Sequence, residues 1–281
     1  MSRSVRELQA AAAARLEAAG VPSPAYDAAE LLAHALGTTR GELVLVDAVS
    51  PAVRDEYDAL VGRRAARVPL QHLTGVAAFR HVELSVGPGV FVPRPETELL
   101  AGWAVERALT SERPVVVDLC TGSGAIARSI VDEVPHASVH AVELDPAAHC
   151  WAEQNLAGTG VELRQGDMAD AFHDLDATVD VVVCNPPYIP LTAWEGVAPE
   201  ARDHDPELAL WSGDDGLGAM RVLERVARRL LRPGGWVGAE HADLQGDSAP
   251  AVFRAQDHWT EVTDHDDLAG RPRFVTAQLA R

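Results

Sequence analysis

The chain contains no lysine: its 24 cations are all arginine, set against 42 acidic side chains and only three cysteines. The missing lysine excludes mechanisms built on a lysine amine, including Schiff bases, the phosphate-loop lysine and the kinase lysine. Cys120, Cys150 and Cys184 are too few, and odd in number, for a disulfide framework, which suits a reducing cytoplasm. No run approaches the ~20 consecutive apolar residues of a bilayer span. The opening stretch, with Arg3, Arg6, Glu7, Arg15 and Glu17 among alanines, lacks the apolar core of a signal peptide. A cytoplasmic protein without membrane association is expected.

What is present is ample apolar material: 281 residues, 47% hydrophobic and 23% charged, suit roughly two compact domains and argue against disorder. Charge is uneven. Residues 1–80 balance nine acids with nine arginines, whereas 81–281 carry 33 acids against 15 arginines, a net of −18. So acidic a C-terminal portion repels a nucleic-acid backbone, so no direct nucleic-acid partner is expected.

Residues 1–70 predict short helices. Val5, Leu8, Ala12 and Leu16 recur at helical spacing up to Gly20, and Ser23-Pro24 and Ser50-Pro51 each supply an N-cap followed by proline at the first helical position. This neutral helical domain reads either as a packing appendage or as a partner-binding module. In 71–94, alternation from Phe79 to Val86 has strand period, and Gly87-Pro88-Gly89 offers a turn before Val90-Phe91-Val92, so a β-hairpin linker is expected. From 95 to 281 strand-like runs (115–119, 138–143, 161–164, 179–184, 235–240) alternate with helical patterns (96–109, 124–133, 146–157, 216–231). That alternation predicts an α/β domain with a mostly parallel sheet covered on both faces.

Four motifs carry chemistry. Asp118-Leu119-Cys120-Thr121-Gly122-Ser123-Gly124 leaves an apolar strand and opens a helix, and its glycines let a ligand approach backbone N–H groups. Glu143, at the end of the next strand, can accept from both hydroxyls of a ribose, and Asp167-Met168 past the following strand can border an adenine. The glycine loop also fits a dinucleotide fingerprint, so an NAD-dependent oxidoreductase is a rival. Asp118 favours a cationic sulfonium or ammonium over a pyrophosphate. The fourth motif is Asn185-Pro186-Pro187-Tyr188, entered from the apolar strand 179–184. The two prolines hold Asn185 and Pro186 rigidly. The Asn185 side-chain oxygen and the Pro186 carbonyl can then accept both hydrogens of a planar –NH2, with the Tyr188 ring against the same group.

On these motifs the chain resembles the class I S-adenosylmethionine-dependent methyltransferases, and within them the HemK/PrmC protein-(glutamine-N5) methyltransferases. The resemblance also rests on Gln71-His72-Leu73-Thr74-Gly75 and Phe79, on Val92-Pro93-Arg94-Pro95-Glu96-Thr97-Glu98, and on Glu240-His241 with Gln245-Gly246. It departs from the family at Cys120, where glycine is usual, and at Met168, where an aromatic is common. The resemblance implies a Rossmann-like fold with an N-terminal helical domain that recognises the substrate. It implies S-adenosyl-L-methionine as cofactor and, as partner, class I peptide chain release factors whose Gly-Gly-Gln glutamine is methylated on its amide nitrogen. Cofactor contacts are then expected from Asp118, Cys120, Thr121, Gly122, Ser123, Gly124, Glu143, Asp167, Met168 and Asn185. Phe91, Arg94 and Thr97 would close the cofactor mouth, or simply connect strand to helix. Asn185, Pro186 and Tyr188 are the expected catalytic residues, and Asn185 to Tyr188, Pro187 included, the substrate contacts. A glutamine of a ribosomal protein and an exocyclic amino group of a nucleic acid are alternative substrates.

No metal is expected: the eleven histidines are scattered, and His72 and His241 read as structural. Asp203, Asp205, Asp214, Asp215 and the acids between 264 and 267 read as solvated surface.

Overall fold

Both serine–proline pairs start helices in the protein, whose computed structural model describes residues 4–281. The helices of the first region are α1 (Val5–Ala18), α2 (Pro24–Leu36), α3 (Pro51–Ala65) and the short α4 (Leu70–Thr74). Ser50 caps α3 by accepting from the Val53 N–H, with Pro51 following, whereas Ser23 precedes Pro24 without a side-chain cap. The apolar stripes of α1, α2 and α3 meet in a core that includes Leu16, Leu31, Leu32 and Tyr57, whose hydroxyl donates to the Ala28 carbonyl at 2.9 Å.

The chain divides into two compact units. The helical unit comprises the described residues up to Val76 together with Ala198–His204, which contains the short helix α8 (Pro199–His204). The sequence reading assigned that segment to the second domain. Charge explains its membership: the Arg64 guanidinium bonds Asp27 of α2 at 2.6 Å and Glu200 of α8 at 2.9 Å, and Arg67 bonds the same Glu200 at 2.6 Å. Burial works against a charged Glu200, but the two guanidiniums hold its carboxyl down to about 2.

The second unit begins at Ala77, within a hairpin of β1 (Val76–Phe79) and β2 (Val82–Ser85). Its turn is at Arg80-His81, with Arg80 at φ 51°, and not at Gly87-Pro88-Gly89, which leads instead into an irregular segment through Phe91. Then come α5 (Thr97–Ala108), β3 (Val115–Leu119), α6 (Ala125–Glu133), β4 (Ser138–Glu143), α7 (Pro146–Leu156), β5 (Glu162–Gln165) and β6 (Val179–Cys184). After α8 follow α9 (Gly218–Leu230), β7 (Leu231–Glu240), α10 (Ser248–Arg254), β8 (Trp259–Asp266) and β9 (Pro272–Leu279).

The other seven strands form one sheet in the order β5-β4-β3-β6-β7-β9-β8. All pairings are parallel except those of β9 with β7 and β8. Val116, Val181 and Val183 face one core with α5 and α6, while Val117, Leu119, Val182 and Cys184 face the other with α9 and α10. Burial on both faces is why β3 and β6 read as largely apolar runs, each interrupted by a single aspartate, Asp118 and Asp180. β8 and β9 were not foreseen: β8 is an edge strand whose Thr260, Glu261 and Asp266 are exposed, so it has no apolar signature. No described helix is long and apolar enough to cross a membrane.

Candidate active site

Strand order reverses between β3 and β6, where an open α/β sheet leaves a crevice at its carboxyl edge. Register brings the motifs to that edge together. Leu119 pairs with Val142 on one side and with Cys184 on the other, Glu143 pairs with Gln165, and Cys184 pairs with Ala239. The glycine loop, Glu143, the turn before Asp167, Asn185 and Glu240 therefore leave adjacent strands at nearly one level.

On the β3–β4 side the shape is made by backbone. Cys120, Gly122 and Gly124 all have positive φ (58°, 58° and 83°), so Cys120 holds a conformation that glycine adopts freely. Its sulfur lies 3.7 Å from that of Met168, which is buried. A side chain on Gly124 would press on Leu156 at 3.0 Å, whereas the space over Gly122 is open. Glu143 accepts from the Gly122 N–H and the Asp145 N–H, each at 2.8 Å; burial raises its pKa and these donors oppose the rise. Asp118 is fully buried at the foot of the loop, bonded through Oδ2 to the Thr121 hydroxyl (2.6 Å) and the Ala127 N–H (3.1 Å). Burial pushes its carboxyl up to about 7 in spite of those bonds. Its Oδ1 is buried with no hydrogen-bond partner among the described residues. Ser123 offers its carbonyl to Asn155 at 2.9 Å, and Asp167 caps the turn after β5 by accepting from the Ala169 N–H at 2.9 Å.

On the β6 side the shape is made by side chains. Asn185 Nδ2 donates to Thr97 Oγ1 at 3.2 Å, and that hydroxyl donates to Glu240 Oε2 at 2.7 Å. Tyr188 donates its phenol to Glu240 Oε1 at 3.0 Å. Burial raises the Glu240 pKa, opposed by the two hydroxyls, and burial beside Glu240 pushes the Tyr188 phenol up, so Tyr188 remains a donor. Beyond the motif, Ile189 exchanges backbone bonds with Leu210 (2.9 Å) and Ser212 (3.0 Å). Gln245 Nε2 donates to the Tyr188 carbonyl at 3.1 Å. Gly216, at φ 73°, passes so near that a Cβ there would sit 2.3 Å from the Tyr188 carbonyl oxygen.

The residues expected at the mouth have these partners within the protein. Arg94 lies over the Phe91 ring, 4.7 Å from its centroid, and donates to Asp205 at 2.6 Å. Asp205 is therefore not solvated surface: it is buried, and burial pushes its carboxyl up to about 6 although Arg94 pulls it down. Thr97 is buried, its hydroxyl committed to Asn185 and Glu240. His241 is enclosed between Asp264 (2.7 Å) and the Ala242 carbonyl (2.9 Å). Sequence reasoning assigned no role to Glu240, Gln245 or Gly216. Only the register of β7 against β6 brings Glu240 to Asn185, and that register has no signal in a single sequence.

A glycine loop with a following acid, on a seven-stranded sheet of this order and closed by Asn-Pro-Pro-Tyr after β6, defines a class I S-adenosylmethionine-dependent methyltransferase. The hMettl16 catalytic domain, solved in complex with a MAT2A 3′UTR hairpin, shares this fold with a TM-score of 0.54 and 17% identity, over 70% of this chain and 75% of that one. The PrmC N-terminal domain family matches residues 7–75 and the methyltransferase small domain family residues 95–195. The release factor glutamine methyltransferase of Streptomyces coelicolor is 58% identical over 273 residues, and that of Mycolicibacterium smegmatis 48% over 274; each match spans 96% of both chains. The 4-amino-L-phenylalanine/4-methylamino-L-phenylalanine methyltransferase of Streptomyces pristinaespiralis is 42% identical, over 90% of this chain and 88% of its own. The chain belongs to the release factor glutamine methyltransferase family.

Proposed function

We propose that the protein transfers the methyl group of S-adenosyl-L-methionine to the amide nitrogen N5 of the glutamine in the Gly-Gly-Gln motif of class I peptide chain release factors. One observation carries the reading: the rigid Asn185-Pro186 pair leaves β6 directly beside the glycine loop on β3, by the pairing of Cys184 with Leu119. Two relatives named for this reaction, at 58% and 48% identity, support it.

The residues present fit the cofactor. The orphaned Asp118 Oδ1 suits a cationic ammonium, the open space over Gly122 admits a ligand against backbone, and Glu143 stands at the crevice ready to accept from ribose hydroxyls. Asp118, Gly122, Gly124 and Glu143 would hold it, with Asp167 and Met168 bordering the adenine and Cys120, Thr121 and Ser123 completing the loop. Bound there, it supplies an electrophilic methyl on a sulfonium.

A glutamine amide is a weak nucleophile because its nitrogen lone pair is delocalised into the carbonyl. Asn185 Oδ1 and the Pro186 carbonyl accept its two N–H groups and favour pyramidalisation, which frees the lone pair and aims it. Pro187 keeps the Pro186 carbonyl fixed, and the Tyr188 ring packs against the planar amide. Acceleration then comes from orientation and from acceptors that meet the charge developing on nitrogen, with no strong base. The methylated nitrogen is strongly acidic, and its extra proton passes to solvent. We assign recognition of the release factor to the helical region 1–70, joined by 71–94 to the catalytic region 95–281, with the reaction taking place in the cytoplasm.

The test incubates purified protein with labelled cofactor and an unmethylated release factor and locates the methyl by peptide mass. Label on the Gly-Gly-Gln glutamine is expected. Label confined to nucleic acid, to a ribosomal protein or to free 4-amino-L-phenylalanine would overturn the assignment.

A further inference from the structure

Asn185 can serve as an acceptor only if the right edge of its amide faces the substrate. The planar carboxamide has an oxygen edge and an –NH2 edge of nearly equal size, so packing alone does not choose between them. A substrate –NH2 needs the oxygen edge; the other edge would set donor against donor. Something must hold the group in one orientation, and the two prolines that follow restrain only the backbone.

The geometry points to Thr97 and Glu240 as the positioning residues that select this edge, through a one-way chain of hydrogen bonds starting at the Glu240 carboxylate. Glu240 ends β7 and is 1% exposed. Its Oε2 can only accept when ionised, so the single Thr97 hydroxyl proton is committed to it at 2.7 Å. Thr97 Oγ1 is then left toward Asn185 with lone pairs alone. The Asn185 Nδ2 edge donates into it at 3.2 Å, which leaves the oxygen edge turned away from Thr97 and available to a substrate. A flipped amide would face acceptor with acceptor in a buried place, which is unfavourable on both sides. The second oxygen of Glu240 holds the Tyr188 phenol at 3.0 Å, so one carboxylate orients both ends of the Asn-Pro-Pro-Tyr segment. Sheet register makes this possible: Cys184 pairs with Ala239, which sets Asn185 and Glu240 side by side at the ends of adjacent strands.

This inference rests on the acceptor role of Asn185 proposed above, and the experiment separates the two. Wild-type protein, Thr97→Val, Thr97→Ser, Asn185→Ala and the double variant Thr97→Val with Asn185→Ala are compared in single-turnover methylation of the release factor, with cofactor Kd and thermal midpoint measured for each. Thr97→Val keeps the shape but removes the relay oxygen. It is expected to lower kcat by roughly tenfold or more with cofactor Kd within about twofold, and Thr97→Ser is expected to recover most of the rate. In the Asn185→Ala background, Thr97→Val is expected to have no further effect, because the relay acts through that side chain. The relay is overturned if Thr97→Val leaves kcat unchanged, if it acts by raising cofactor Kd, or if its factor reappears undiminished without the Asn185 amide. Should Thr97→Val not fold, Thr97→Ala, which removes the same hydroxyl and leaves the Tyr188–Glu240 bond in place, takes its place in the same cycle with the same expected outcomes. A wild-type chain that methylates no release factor counts against the proposed function instead.

Discussion

The loop after β3 and the loop after β6 flank one crevice but keep their shapes by different means. The first relies on positive-φ backbone at Cys120, Gly122 and Gly124 and on a carboxylate, Glu143, that binds the loop's own N–H group. The second has almost no such backbone of its own. It is held by Thr97 from the start of α5, Glu240 from the end of β7, Gln245 beyond it and Gly216 before α9. A site for a cofactor can thus be assembled from one strand–helix–strand stretch, whereas a site that must orient a single –NH2 gathers side chains from across the unit.

That contrast can be tested from the largest expected effect downward. Asn185→Ala should cut kcat on the order of 10²–10³-fold while cofactor Kd, by calorimetry, stays within about twofold, since it removes an acceptor that acts in the transition state. Glu143→Ala should show the opposite split: cofactor Kd raised roughly 10- to 100-fold, with kcat largely restored at saturating cofactor. If both substitutions moved the same parameter, the division of labour would be wrong. Gly216→Ala adds a methyl where the Tyr188 carbonyl already stands, at a backbone angle that side chains rarely adopt, and should destabilise the fold by about 1–3 kcal/mol and lower kcat more than it raises cofactor Kd.

Asp118 gives a pH signature. Its carboxyl is raised from 3.8 to about 7, so its stabilising contribution is complete below 3.8 and is lost as pH rises through about 7. Thermal midpoints of the wild type, measured against Asp118→Asn across that window, should decline more steeply with rising pH. Parallel curves would mean that Asp118 titrates normally. The smallest effect is expected at Cys120, where Cys120→Gly relieves a positive φ but loosens the unfolded chain, for a net change within about 1 kcal/mol in a denaturant titration.

The same contrast explains what could be read in the sequence. Gly122, Gly124 and Glu143 were legible because a tight turn, a helix start and a strand end follow one another closely along the chain. Asn185 to Tyr188 was legible because proline restricts its neighbours whatever the fold. The parallel core strands were legible from their apolar runs. Glu240 and Gln245 stood in the sequence without a role, because a carboxylate at a strand end has no local mark of what lies beside it. Asp205 was misread for the opposite reason: a short acidic stretch looks solvated until Arg94, far along the chain, is found against it. Edge strand β8, polar on its outer face, left no period to detect.

The helical unit draws one of its helices, α8, from deep within the second half of the chain. The unit is therefore not one continuous stretch of chain. A joint at residue 76 would separate both Arg64 and Arg67 from Glu200: Arg64 would keep Asp27, but the half-buried Arg67 would lose its carboxylate. Residues 4–76 expressed without 198–204 would therefore lack one carboxylate of that ion-pair cluster.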